Sequence, residues 1–134
     1  MKEMTLDAVI GNLGLVTDWI NSELEAQDCP MKACMQIDVA IDEIFSNIAR
    51  HAYPGKTGSV TIRHDTQDGV FSITFEDQGI PYDPLQKEDP DVSLSAEERE
   101  IGGLGIFLVK KTMDAMAYRY QNGRNILTIR KRIR

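Results

Sequence analysis

Cysteine, histidine and long apolar runs are scarce in this sequence, and each scarcity closes off a class of protein. Two cysteines, Cys29 and Cys34, cannot build a disulfide framework. Their spacing predicts them on different sides of one helix, and His51 and His64 stand apart from them, so a zinc site is excluded from the reading. Reduced thiols in a cytosol are expected. No apolar run approaches the roughly 18 residues that a bilayer span needs, so no membrane partner is expected. Met1–Asp7 lacks the charged-then-apolar order of a secretory signal, which adds to the expectation of a cytoplasmic location. Repeats, low-complexity tracts and internal linkers are also missing. A single domain over residues 1–134 is expected.

What is present reads as an ordinary globular chain, with 42% hydrophobic and 27% charged residues. The net charge of −6 is uneven. Arg124, Arg130, Lys131, Arg132 and Arg134 give residues 124–134 a local +5 without one acid, which leaves −11 on residues 1–123. Those basic residues alternate with Ile126, Leu127, Ile129 and Ile133, the pattern of a strand rather than of a nucleic-acid arm. The acidic remainder would repel a phosphate backbone, so direct nucleic-acid binding is not expected.

Periodicity predicts one compact α+β order. Met4–Ala8 alternates as a short strand, and Asn12 is placed to cap a helix to about Ala26 that buries Leu13, Val16, Trp19, Ile20 and Leu24. Asp28-Cys29-Pro30 starts a second helix that ends near His51, before the breaker Tyr53-Pro54-Gly55. Ser59–His64 and Val70–Glu76 alternate as strands around a turn at Gln67-Asp68-Gly69. Ile106–Met116 reads as a third helix, followed by a hairpin of Ala117–Gln121 and Ile126–Ile133 around Asn122-Gly123.

Three motifs carry candidate chemistry. In the second helix, Ile37, Ile41, Ile44, Phe45 and Ile48 form an apolar stripe, and Glu43 and Asn47 project beside it, four residues apart. That is about 6 Å along the axis at roughly 1.5 Å per residue. An amide oxygen suits a hard cation such as magnesium, and a carboxylate can orient or deprotonate a hydroxyl. Asp77-Gln78-Gly79-Ile80-Pro81 follows a strand, where an aspartate can accept from an exocyclic amine and glycine lets the backbone approach a planar ring. Gly102-Gly103-Leu104-Gly105 opens the third helix, where backbone N–H groups and the helix dipole attract phosphate. Lys110 and Lys111 follow nearby. Each motif alone also has a bland reading: an exposed helix face, a plain Asp-x-Gly turn, a flexible hinge. Between the last two lies a polar, proline-bearing stretch from Gln78 to Ile101, long enough to act as a lid.

The order of these elements resembles the GHKL ATPase superfamily, with its N box, first glycine box, ATP lid and second glycine box. Within it, the chain is most similar to bacterial anti-sigma factor serine kinases, through Asn12-Leu13-Gly14-Leu15-Val16, Asp42–Tyr53, Asp77–Pro84, Gly102–Asp114 and Asn125-Ile126-Leu127-Thr128. The resemblance implies a two-layer sandwich, a mixed and mostly antiparallel sheet with three helices on one face, and an ATP lid at about residues 78–101. It implies ATP and Mg2+ as cofactors. Asn47 would be the magnesium ligand and Glu43 the general base toward an acceptor hydroxyl. Asp77, with Gly79, would bind the adenine amine, and Gly102, Gly103, Leu104 and Gly105 would present amides to the phosphates. Arg99 lies where kinase relatives place an arginine on the terminal phosphate, although it equally suits pairing with Glu97 or Glu98. Arg50 and His51 would border the pocket. The implied activity is serine phosphorylation of an anti-sigma antagonist, typically a STAS-domain protein, together with sequestration of a sigma factor and pairing into a homodimer. The alternatives are a nucleotide-dependent binding module without transfer and a stand-alone ATPase-like domain from a histidine-kinase lineage. Gly79 is followed by Ile80-Pro81 where other branches often carry Gly-x-Gly, which we read as a character of the kinase branch.

Overall fold

The computed structural model describes residues 1–86 and 103–134. In chain order they form β1 (Lys2–Asp7), α1 (Leu13–Ala26), α2 (Met31–His51), β2 (Ser59–Gln67), β3 (Val70–Asp77), α3 (Gly103–Thr112), β4 (Ala115–Gln121) and β5 (Arg124–Arg132), with 3-10 turns at Ile10–Asn12 and Pro84–Gln86. Most of the expected lid, with Arg99 and Gly102, lies outside the described residues.

The strands make one sheet in the order β1-β2-β3-β5-β4. All four pairings are antiparallel, which corrects the expectation of a mixed sheet. The crossover through α3 lays β4 at the sheet edge, and the tight β4–β5 hairpin then returns β5 between β4 and β3. Alternation assigns the two faces. Val60 and Ile62 of β2, Phe71, Ile73 and Phe75 of β3, and Leu127 and Ile129 of β5 point inward and are buried. Against them pack Val16, Ile20 and Leu24 of α1, Ile37, Ile41, Ile44 and Phe45 of α2, and Val109 of α3. The opposite face is polar: Thr5 and Thr61 bond across it at 2.9 Å, Thr74 and Thr128 at 3.0 Å. Glu76 there binds both Arg63 and Arg124 at 3.3 Å. The result is two layers, helices on one face of the sheet.

Both hairpins turn on two residues with positive φ, Asp68-Gly69 (53° and 79°) and Asn122-Gly123 (54° and 78°). Such mirror-image turns match the right-handed twist of the strands they join. Several expected boundaries move. Asn12 does not cap α1 with its side chain; it lies in a 3-10 turn and its Nδ2 donates to the Asp7 carbonyl at 2.9 Å. The third helix runs Gly103–Thr112 rather than Ile106–Met116. It stops because the Asp114 N–H donates to the Arg130 carbonyl and the Asp114 carboxylate accepts from the Arg132 N–H, which turns Ala115 and Met116 into β4. Cys29 precedes α2 instead of lying within it, so the two cysteines are neighbours, with Cys34 Sγ donating to the Cys29 carbonyl at 3.7 Å. Burial and the Cys34 thiol push the Cys29 thiol up to about 12.

Phe45 sits fully buried where α2 meets the sheet. Phe45→Ala is expected to cost about 3–5 kcal/mol through lost burial and an unfilled cavity. Urea denaturation monitored at Trp19 would check this.

Candidate nucleotide-binding cleft

The alternation that builds the core also delivers an acid to its edge. Asp77 continues the inward row of Phe71, Ile73 and Phe75 and is 6% exposed. Its Oδ1 accepts from the Gly79 N–H at 2.8 Å and from Asn125 Nδ2 at 3.0 Å. Burial raises the pKa of this carboxyl, against the lowering effect of those two bonds. Both bonds fall on Oδ1, so among the described residues Oδ2 is the acceptor left for a ligand.

Asn125 is the inward residue of β5 that pairs with Asp77, and it too is buried. Besides holding Asp77, its Nδ2 donates to the Ile80 carbonyl at 2.9 Å and more weakly to that of Gly79 at 3.4 Å. Its Oδ1 accepts from the Tyr82 N–H at 3.1 Å and from the Tyr118 hydroxyl of β4. One amide therefore fixes the strand end and the loop leaving it. Tyr53 fastens the same loop from the other side. Its hydroxyl donates to the Ser59 carbonyl at 2.6 Å and accepts from the Gln78 N–H at 2.8 Å. The Ile80 N–H completes the seam on the Ala52 carbonyl at 2.9 Å. This seam explains Gly79, since a Cβ there would lie 2.3 Å from the Ala52 carbonyl oxygen.

At the other end, Glu43 and Asn47 lie one turn apart on α2. Asn47 Nδ2 reaches Glu43 Oε1 at 3.4 Å, and Arg50 reaches Asn47 Oδ1 at 3.5 Å. Both bonds are at the long limit, so each side chain can exchange its partner for a ligand. Gly105, in the first turn of α3, faces Glu43 so closely that a Cβ would stand 2.1 Å from its carboxyl carbon. The glycine turn and the carboxylate are therefore in contact. Lys110 and Lys111 lie instead in the last turn of α3, where Lys111 sits 5.4 Å over the Phe107 ring.

Between these ends lies a narrow cleft of about 50 Å³, walled by Ile44, Ile48, Phe75, Ile80 and Ile106. Asn47, His51, Asp77 and Asn125 supply its polar points, an apolar slot with few polar groups, as ligand sites commonly are. The structure brings together Asn47, Asp77 and Gly79 with Glu43 and Gly105 at one mouth. Gly103 and Leu104 contribute backbone at the start of α3. Arg50 is exposed and approaches through Asn47. Asn125, Tyr53 and Tyr118 were not foreseen as site residues. The signal for Asn125 was available: it is a polar residue at the inward phase of the row Asn125, Leu127, Ile129.

The two glycines should respond differently to alanine. At Gly79 the clash is with backbone, so Gly79→Ala is expected to destabilise by about 1–3 kcal/mol. At Gly105 the obstacle is the movable end of Glu43, so Gly105→Ala should stay within about 1 kcal/mol of wild type while displacing that carboxylate. Urea midpoints of the two variants decide this.

Asp77 gives a pH signature. Because its folded pKa lies above the unfolded value, the folded state holds the extra proton between the two values. Its contribution to stability thus falls as pH rises through that window, and the penalty is complete above the folded value. Asp77→Asn should remove the penalty, so the variant is expected to gain on wild type as pH rises from about 4 to 7. Melting curves of both proteins across that range, without ligand, test the sign.

A family model described as the histidine kinase-like ATPase domain matches residues 6–131. A serine/threonine-protein kinase BtrW of Bordetella bronchiseptica is 31% identical over 96 residues, covering 69% of this chain and 66% of that protein. A serine-protein kinase RsbW of Listeria monocytogenes is 27% identical over 101 residues, covering 72% and 64%. The matches thus span just under two thirds of these curated relatives. Among solved structures, the RsbU and RsbW domains of a Mycobacterium tuberculosis protein superpose with a TM-score of 0.65 at 16% identity, over 99% of this chain and 33% of that one. A blue-light activated histidine kinase of Erythrobacter litoralis gives 0.56 at 20% identity, over 79% and 32%. With nearly its whole length matched and the cleft in place, the chain belongs to the histidine kinase-like ATPase domain family.

Proposed function

We propose that this protein is an ATP-dependent serine kinase of the anti-sigma type. It phosphorylates a serine of a STAS-domain antagonist and holds a sigma factor inactive. The observation that carries the reading is the contact between Glu43 and the Gly105 turn, one helical turn from Asn47. This places a carboxylate, an amide oxygen and a helix N-terminus at one mouth of the cleft. The names of the relatives point the same way.

The residues present fit ATP and magnesium. Asp77 lines the cleft with its Oδ2 left as an acceptor for an amine on a planar base, and the apolar walls suit the ring. Among the described residues there is no cluster of three His, Cys, Asp or Glu for a metal. That agrees with magnesium, which is typically held by one or two protein oxygens, water and substrate phosphates. Asn47 Oδ1 is the ligand for that role. Bound together, ATP and the metal supply the phosphoryl donor with its charge partly neutralised. The backbone N–H groups of residues 103–105 hold phosphate oxygens at the positive end of α3. Glu43 orients the acceptor hydroxyl and takes its proton. Arg99 is proposed for the terminal phosphate, and Gly102 for the same turn, on sequence alone.

Saturation at 100 times the dissociation constant should stabilise the fold by about 2.7 kcal/mol. For a domain of this length that is a melting shift on the order of 10 °C. Asp77→Asn should abolish most of it, because the two donors hold the amide oxygen and turn its NH2 group toward the ligand amine. Glu43→Gln should keep the shift but cut phosphorylation of a STAS-domain protein from the same organism by roughly 10²–10⁴. Asn47→Ala should lose both. Thermal melts with Mg-ATP and a radiolabel transfer assay distinguish the outcomes. A shift without transfer by wild type would leave a nucleotide-dependent binding module, and no shift would remove the nucleotide itself.

A further inference from the structure

Met31, Met35, Val39, Glu43 and Asn47 stand four apart and make one ridge that winds gently around α2. Its two halves differ. Asn47 lines the cleft and Glu43 abuts Gly105, whereas Met31, Met35 and Val39 are 78, 62 and 49% exposed. Alongside runs α3 in the opposite direction. Gly105 meets Glu43, and Leu108 and Thr112 then line a groove with the three apolar residues of the ridge. Leu108 is itself 43% exposed. Four large apolar side chains thus face outward in one groove that ends at Glu43. Clustered apolar exposure of this kind marks a binding surface, and methionine is the side chain that adapts to a partner's shape.

We propose that this groove is the docking surface for the folded protein that carries the acceptor serine; the proposal rests on the kinase reading. Position along the ridge selects the occupant. On one side of Glu43 lies Asn47 and the nucleotide cleft, and on the other lies Val39. A hydroxyl presented to Glu43 from the side away from the nucleotide therefore arrives over Val39. A serine on a folded domain brings the surface around it, which comes to rest on Val39, Met35 and Leu108. Lys32 edges the same groove, so the matching rim of the acceptor is acidic around an apolar centre.

The test compares wild type, Met35→Glu and a control, Leu15→Glu, which places the same charge on an exposed apolar residue of α1. The probe is a purified STAS-domain protein from the same organism. Met35→Glu is expected to raise KM for that protein at least tenfold with kcat changed less than threefold. It should keep the Mg-ATP melting shift and leave transfer to a short serine peptide of the same acceptor at the wild-type rate. Leu15→Glu should match wild type throughout. Equal KM values for wild type and Met35→Glu would overturn the docking surface and leave the kinase reading intact. Wild type that binds the acceptor without transfer, with binding lost in Met35→Glu, would keep the surface and remove the kinase reading. Absence of both binding and transfer in wild type would overturn both. A Met35→Glu variant that is unchanged in KM but passes from dimer to monomer on size-exclusion would assign the groove to a second copy instead, against the proposal.

Discussion

A buried amide bonded to a buried carboxylate governs the geometry of this protein's cleft. Asn125 and Asp77 face each other across the β3–β5 pair, and the same amide reaches the carbonyl of Ile80 and the N–H of Tyr82. The loop after β3 thus inherits its position from the sheet rather than from its own sequence. An interior polar group is costly to leave unpaired, so each added bond removes alternatives for the loop as well as contributing stability. Tyr53 and Ala52 repeat the arrangement from the end of α2. The loop is clamped between the two layers, and the wall of the slot it forms is set before a ligand arrives.

Helix α2 serves both layers at once. Its apolar stripe through Ile37, Ile41, Ile44 and Phe45 is buried in the core, and that burial holds the helix rigid over 21 residues. The ridge beside the stripe carries Glu43 and Asn47, whose positions are therefore determined by core packing several residues away. A site built on a packed helix keeps its spacing, and the weak side-chain bonds at 3.4 and 3.5 Å leave the functional atoms free to change partners.

Periodicity made the fold legible wherever one face is buried. The inward rows of β2 and β3, the stripe of α2 and the Asp-Gly and Asn-Gly turns all stand where the alternation put them. What failed was the expected mixture of strand directions and, locally, the end of α3, the cap at Asn12 and the placement of Cys29. In two of these cases a hydrogen bond from outside the helix overrode local preference. The hydrogen bonds of Asp114 to β5 stop the helix, and Asn12 turns back to Asp7. Glu43, Asn47, Asp77 and Gly79 were singled out by their order along the chain, and the structure gathers them around one cleft. Asn125 was missed because its role depends on a partner 48 residues away, and one inward polar residue in a strand does not name that partner.

The energetic position of Asp77 explains how such a slot discriminates. The mostly buried carboxyl is held by two donors on one oxygen and lacks an equivalent for the other among the described residues, and burial makes its charged form costly. A planar ligand that brings a donor to that oxygen relieves an existing cost. One that brings an acceptor, or an apolar edge, deepens it. Rejection by an unpaired buried polar group is far sharper than rejection by a shape mismatch of one methylene. On the proposed reading, the apolar walls of Ile44, Ile48 and Phe75 would supply affinity to any flat ring, and Asp77 would supply the choice among them.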